Sequence, residues 1–355
     1  VQKKIFMEYL SLRKVAVFAL GAILFLAVGW YAHDWYQCRQ AHVPRRVRAV
    51  GFRYISPLLD VELPEGMSVR QEPIPFKSKV LDFVQQRVRA GKVSDMSVYF
   101  RDLFDGPWFG INEEARFDAA SMMKVPVMIA WLKRAEKDQR ILGRQFFFDG
   151  KEDLTAMQVI KPKATITAGQ NYTVDQLLYY MINYSDNNAT SLLYNALSPE
   201  ELNDVLDGMD IDNDASSGNN VITVHGYSGF FRILFNAAYL NRAMSEKALQ
   251  LLTLEDFAGI SAGVPQGIAV AAKFGESNQG GEKQLHDFGI VYHPGGPYIL
   301  GVMTRGHDAS AQAEVIKDLS ALVYREVSTG LQGTATAPGG GKHSREVHVN
   351  GSRDF

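Results

Sequence analysis

Ser121 stands three residues ahead of Lys124 in the stretch FDAASMMKVPVMIAWLKRAE. A serine hydroxyl is hardly ionised at neutral pH, so it attacks a carbonyl only with a base at hand, and a neutral lysine amine can be that base. Residues i and i+3 share a helix face, so a serine in the first turn and a lysine one turn on can touch. The helix N-terminus also turns backbone N–H groups toward whatever the serine attacks, which suits a developing oxyanion. Against this, Ser-x-x-Lys arises by chance in a chain of this length, and Ser11 to Lys14 is a second copy that merely flanks an apolar run. Taken alone, Ser121 reads as a helix cap.

Two further stretches carry the reading past chance. NYSDNNAT holds Ser185-Asp186-Asn187 just after an apolar helix, and VAAKFGES holds Lys273-Phe274-Gly275 at the end of a β-type run. Ser121 to Ser185 is 64 residues and Ser185 to Lys273 is 88. Ser-x-x-Lys, Ser-Asp-Asn and Lys-x-Gly, in that order, form the signature of the penicillin-interacting serine enzymes. Residues 76–327 thus resemble the catalytic domain of class A β-lactamases and their relatives among penicillin-binding proteins. FGIVYHPGGPYILGVMTRG is similar to that family's closing strand pair.

The resemblance implies an α/β (α+β) fold, with an antiparallel sheet flanked by helices, packed on an all-helical subdomain, and the site between them. It implies that Ser121 is the acyl-accepting nucleophile, Lys124 its base, and Ser185 the relay of a proton to the leaving nitrogen. Asn187 would hold the substrate's amide side chain, and Asp186 would brace its loop. Lys273 would attract a substrate carboxylate and help hold Lys124 neutral, since a second cation nearby lowers a lysine pKa. The backbone N–H groups of Ser121 and Glu276 would form the oxyanion hole, and Gly275 would let the strand approach the ligand closely. The implied ligands are β-lactams or peptidoglycan-like peptides, and no cofactor is required.

Two departures bear on turnover and specificity. The family carries a water-activating glutamate on a long loop between the second and third motifs. Here DGMDIDNDASSGNNVITVHGYS offers Asp210, Asp212 and Asp214 but no glutamate. PEELN at 199–203 is similar to the family's Glu-Leu-Asn run, yet it begins 14 residues after Ser185. It reads as a helix start, with Ser198 as cap, Pro199 in the first turn and acids at the positive end. The second departure is Phe274, where the family has a small hydroxyl residue that bonds the substrate carboxylate. Within the enzyme reading, fast deacylation means a β-lactamase and slow deacylation a penicillin-binding or DD-peptidase-like protein. A non-catalytic binding protein that keeps the fold is the alternative these departures motivate.

The elements that must position these residues follow from periodicity. Helical spacing marks Lys77 to Arg89, Ser121 to Lys137, Val174 to Asn183 behind the cap Thr173, Ser191 to Ala196, Glu200 to Leu206, Tyr227 to Asn241 and Ser245 to Leu252. Strands are expected at Met96 to Phe100, Trp108 to Ile111, Ile268 to Phe274, Asp287 to His293 and Tyr298 to Thr304, with a hairpin at Gly295-Gly296. A closing helix is expected over Ala309 to Val327. Strands at both ends and helices between predict one sheet built from both ends of the domain.

The chain has 355 residues, of which 46% are apolar, enough for a sizeable core, and a net charge of −2 that gives no reason to expect a nucleic-acid partner. The single cysteine, Cys38, excludes an intramolecular disulfide. Residues 15–32 carry no charge and, as a helix, would rise about 27 Å, close to the hydrocarbon thickness. Trp30, Tyr31, Trp35 and Tyr36 suit a headgroup layer. The run is long for a cleaved signal peptide and lacks a small-x-small site. The expectation is a short cytoplasmic tail over 1–14, a single-pass signal anchor over 15–32, a juxtamembrane linker over 33–75, an extracytoplasmic domain over 76–327 and a disordered tail over 328–355. Arg13 and Lys14 favour the cytoplasmic N-terminus.

The eight histidines show no metal spacing. His286-Asp287 lacks a Gly-x-Ser-x-Gly elbow for a triad and reads as strand-edge polar groups. Met122, Met123 and Met128 read as core packing, and Lys161 and Lys163 as a solvated loop. The sequence leaves the oligomeric state open.

Overall fold

A computed structural model describes residues 20–21, 24–32, 45–62, 74–104, 106–207, 221–278 and 281–335. The chain divides into two units, one of residues 1–49 and 58–70, the other of 50–57 and 71–355. In the first, β1 (Arg45–Arg48) pairs antiparallel with β2 (Leu58–Glu62). Residues 20–21 and 24–32 are helical and exposed. The stretch 24–32 rises about 14 Å, under half a bilayer's hydrocarbon core. Among the described residues no helix is long and apolar enough to cross a membrane. The anchor expected over 15–32 is therefore not shown as a spanning helix; 15–19 and 22–23 lie outside the described residues.

The second unit runs α1 (Lys77–Arg89), β3 (Asp95–Asp102), β4 (Trp108–Ile111), β5 (Phe117–Asp118), α2 (Lys124–Lys137), β6 (Gln145–Phe148), β7 (Gln170–Thr173), α3 (Val174–Asn183), α4 (Asn187–Tyr194), α5 (Pro199–Asp207), β8 (Val221–Ile222), α6 (Val224–Asn236), α7 (Arg242–Leu252), β9 (Val270–Ser277), β10 (Lys283–Val291), β11 (Tyr298–Gly306) and α8 (Ala309–Ala335). The main sheet has the order β4-β3-β11-β10-β9, all antiparallel. β3 from the start of the domain pairs with β11 from its end, as the sequence predicts.

Side chains alternate across the sheet. Val98, Phe100, Leu300 and Val302 pack with Val80, Ile316 and Leu319 from α1 and α8. Tyr99, Phe288, Ile290 and Ile299 face the other way, into the core of α2, α3, α6 and α7 around the fully buried Trp131. The helical block thus presses on one sheet face, and β9 is the edge strand beside it.

Local chemistry sets the helix ends. Thr173 accepts from Gln176 N while the Gln176 side chain accepts from Thr173 N, a reciprocal capping box that starts α3. Ser198 and Glu201 exchange the same pair of bonds at the start of α5. The linker expected over 33–75 is in part a strap on the second unit: the Glu246 carboxylate on α7 accepts from the backbone N–H of Arg53, Tyr54 and Ile55. α8 runs to Ala335, beyond the expected end at Val327, so 328–335 are helical rather than tail. Residues 336–355 lie outside the described residues.

Candidate active site

Ser121 does not open an α-helix. It lies in a 3₁₀ turn, Ala120–Met123, and Lys124 is the first residue of α2. Three residues per turn superpose i and i+3, so the tighter turn brings the two side chains together more directly than an α-turn would. Lys124 Nζ stands 2.8 Å from Ser121 Oγ. The turn is fixed from below by the buried Tyr227, whose hydroxyl donates to Met122 O at 2.9 Å. Ala120, just before the nucleophile candidate, sits at φ 46°, in the left-handed region. That conformation costs an alanine about 1–2 kcal/mol; Asp118 supports it by accepting from Ala120 N at 3.0 Å.

Ser185 and Asn187 reach the same amine. Lys124 Nζ is 2.9 Å from Ser185 Oγ, 2.7 Å from the Ser185 carbonyl and 2.7 Å from Asn187 Oδ1. Ser185 is also left-handed, at φ 55°. Its carbonyl accepts from Lys124 and from the buried Gln158 Nε2 at 3.0 Å, and these bonds hold the strained residue in place. Gln158 carries no motif, and nothing in the sequence singled it out.

Asp186 has the bracing part expected of it. One carboxylate oxygen accepts from Asn188 N, at the start of α4, and the other from Ile166 N and Thr165 Oγ1. It ties the 154–166 segment to the α3–α4 turn. Burial pushes its carboxyl up from the ordinary aspartate value.

Four oxygens surround Lys124 Nζ. Two of them, the Ser185 carbonyl and Asn187 Oδ1, can only accept. A neutral amine spends its two N–H groups on these and keeps a lone pair for a hydroxyl proton. Burial pushes the Lys124 amine well below the ordinary lysine value, and the charge of Lys273 pushes the same way; Asp186, Glu276 and Glu255 oppose. The environment therefore favours the form that can act as a base.

Lys273 is near enough to act on Lys124 by charge, but it does not open on the cleft. Its side chain is fully buried and its Nζ donates to Glu255 Oε1 at 2.9 Å and to the Phe274 carbonyl at 3.1 Å. The nitrogen lies 4.0 Å from the centroid of the Phe274 ring. Neighbours in a strand project to opposite faces, so to meet the carbonyl and ring of Phe274 the Lys273 chain bends round the edge of β9. Phe274 is buried and stacks on Phe257 with centroids 4.6 Å apart. The expected carboxylate-binding lysine is thus occupied by an internal carboxylate, and the sequence offered no motif that marks Glu255.

A cavity of about 480 Å³ opens at Ser121, its lining including Lys124, Asn187, Asp118, Glu276, Ser277, Val127, Tyr194 and Leu202. Glu276 closes one side: both its carboxylate oxygens lie 2.8 Å from Ile160 N, and burial pushes its carboxyl up. Gly275 touches the nucleophile turn; a Cβ there would lie 2.6 Å from Met122 Cγ and 3.0 Å from Ala119 O. Close approach is needed here, though to the protein's own turn.

Other expectations divide. Glu201 is paired with Arg134 and caps α5, which agrees with reading PEELN as a helix start. Asp210, Asp212 and Asp214 lie outside the described residues. His286 and Asp287 are not edge groups: β10 is interior and both are buried. They point to opposite faces, His286 to Asp118 O at 3.1 Å and Asp287 to Ile260 N at 2.6 Å, so they form no triad. Met122 and Met128 are fully buried. Lys163 pairs with Asp256 at the surface. No group of three or more His, Cys, Asp or Glu that could hold a metal occurs among the described residues.

The chain matches the model of the β-lactamase enzyme family over residues 78–327. No curated protein sequence matches it. Among solved structures, a β-lactamase from Sphaerobacter thermophilus is similar with a TM-score of 0.62 and 23% identity, over 72% of this chain and 98% of that one. A PBP-A mutant, described as an acyl-enzyme complex with penicillin G, is similar at 0.61 and 20%, over 71% and 97%. A variant of the last common ancestor of Gram-negative class A β-lactamases is similar at 0.59 and 24%, over 72% and 98%. These likenesses speak for the α+β fold. The family match spans most of the chain and takes in the three motifs together, and on it the chain belongs to the β-lactamase enzyme family.

Proposed function

We propose that the chain is a serine hydrolase that forms an acyl-enzyme on Ser121 with a β-lactam and hydrolyses the β-lactam amide. The observation that carries this is the position of Lys124 Nζ, 2.8 Å from Ser121 Oγ and 2.9 Å from Ser185 Oγ. Ser121 Oγ bonds to the carbonyl carbon while its proton passes to the Lys124 lone pair. When the C–N bond breaks, Lys124 returns the proton through Ser185 Oγ to the leaving nitrogen. Ser121 N–H and Glu276 N–H receive the oxyanion. Water then adds to the ester, Ser121 recovers its proton, and the acid leaves. In the same reading the hydrolase is tethered by the charge-free run over 15–32 and works outside the cytoplasm.

A second reading is a penicillin-binding or DD-peptidase-like protein whose acyl-enzyme persists. The apolar Val127 and Leu202 in the lining and the engagement of Glu201 with Arg134 favour it. Mass spectrometry of the purified chain mixed with penicillin G separates the outcomes. Rapid product with little adduct supports the hydrolase. A lasting adduct on Ser121, absent from Ser121→Ala, supports the second reading. No adduct and no product removes both.

A further inference from the structure

The polar groups around the cleft do not add up to a site for an anion. Its described lining holds two carboxyl groups, Asp118 and Glu276, and no arginine; its one lysine is Lys124. Asp118 is turned to Ser277 Oγ and Ala120 N. Outside the lining, Lys161, whose charge acts on Glu276, donates to the Thr155 and Ala156 carbonyls, and Lys273, whose charge acts on Lys124, is fully buried and ion-paired with Glu255, whose own side chain is 3% exposed. The pair is locked twice over, because the same Glu255 Oε1 accepts from Phe274 N at 2.6 Å. Phe274 then covers the ammonium from the ring side. A carboxylate brought to this cleft meets two like charges and finds its partner cation already taken.

We propose that Glu255 is a specificity-determining residue that withholds Lys273 from the substrate, so that the site prefers an acyl donor uncharged beside the scissile bond. The inference rests on Ser121 being the acyl acceptor. Glu255 touches no substrate; it acts through Lys273. With Glu255 in place, the buried pair is close to neutral as a unit. With its charge removed, an unpaired ammonium is costly to bury, and the long lysine chain can swing back round the edge of β9 toward the cleft.

The test is a matched pair, penicillin G and its methyl ester, which share the reacting bond and differ in one charge. Both compete with a fluorophosphonate probe for Ser121 in the full-length chain, and the acid-to-ester ratio of protection rates is read. A ratio near or below one is expected for the native chain. For Glu255→Gln the ratio rises roughly 10-fold or more, the size of one charged hydrogen bond regained. A native ratio of about 10 or above overturns the proposal, as does a folded, probe-reactive Glu255→Gln with an unchanged ratio. Protection by neither compound also overturns it. If Glu255→Gln does not fold, Glu255→Asp, with a carboxylate drawn back from the amine, is expected to move the ratio the same way by less, and the native ratio is decisive by itself. Failure of the probe to label Ser121 brings the proposal down through the nucleophile, and is told apart from failure at Glu255 by that missing label.

Discussion

Replacing Gly275 by alanine tests whether β9 and the nucleophile turn are one mechanical unit. The added Cβ would lie 2.6 Å from Met122 Cγ, 3.0 Å from Ala119 O and 3.2 Å from Met122 N. Carbon atoms in contact sit about 3.5–4.0 Å apart, so roughly 1 Å of overlap must be relieved. Met122 is fully buried and two of the three obstacles are backbone, so a rotamer change does not suffice. The strand and the Ala120–Met123 turn must part by a fraction of an ångström. Overpacking of this kind costs about 1–3 kcal/mol, and in a domain of this size that lowers Tm by roughly 2–10 °C. Displacement of Ser121 from the Lys124 amine acts more strongly on rate, since about 1 Å of misplacement costs on the order of 100-fold. The assay is a melting curve beside the rate of fluorophosphonate labelling at Ser121. A native Tm would refute the packing argument. A lowered Tm with a native labelling rate would show that the turn holds its geometry independently of β9.

Two predictions concern pH. Because burial and Lys273 depress the Lys124 amine, labelling of Ser121 should reach its plateau well below the ordinary lysine value and should fall as acid protonates that amine. A profile that climbs only near the ordinary lysine value would mean that Lys124 is not the base. His286 is pushed down to about 4 by burial, and it accepts from Thr304 N through Nδ1 while Nε2 donates to Asp118 O. Its folded-state pKa lies below the unfolded value, so the unfolded chain takes the proton first. Stability is therefore lost as pH falls from about 6.5 to about 4, by about 3 kcal/mol at most. Urea titrations of the native chain and of His286→Gln across that window should converge toward acid; parallel curves would exclude His286 as the cause.

Much of the fold could be read from periodicity and caps. α1 and α3 have the bounds their apolar spacing predicts, and Thr173 caps α3 as its type and place indicate. The closing strands were legible because continuous apolar runs, buried on both faces, flank a Gly-Gly turn. α4 begins at Asn187 and not at Ser191 because Asp186, recognised as a brace, is also its N-cap. The 3₁₀ turn at Ser121 was hidden because i and i+3 fall together in either helix type. Lys273 shows a deeper limit. Strand alternation fixes the face from which a side chain starts, but four methylenes let a lysine end elsewhere. Its partner Glu255 follows α7 in a stretch with no periodicity. Gln158 was hidden for the same reason, since loop residues are placed by tertiary contacts alone.

The site carries more provision for making an acyl-enzyme than for breaking one. Acylation needs a base against Ser121 and a relay beside it, and the chain holds both, with backbone strain at Ala120, just before the nucleophile, and at the relay Ser185, where Asp118, Gln158 and Lys124 hold it in place. Release needs a group that orients and deprotonates a water near the ester. Of the described carboxylates at the cleft, Asp118 accepts from Ser277 and Ala120, and Glu276 accepts from Ile160. Glu201 is committed to Arg134. Val127 and Leu202, which share the cleft lining with Ser121, offer a water no polar partner. Among described groups Glu276 is the candidate for the work, since it lines the cleft, burial raises its carboxyl, and backbone N–H groups of the 159–160 segment alone tether it. The lifetime of the adduct therefore turns on whether Glu276 can leave Ile160. Glu276→Gln should lengthen that lifetime if it can, and leave it unchanged if it cannot.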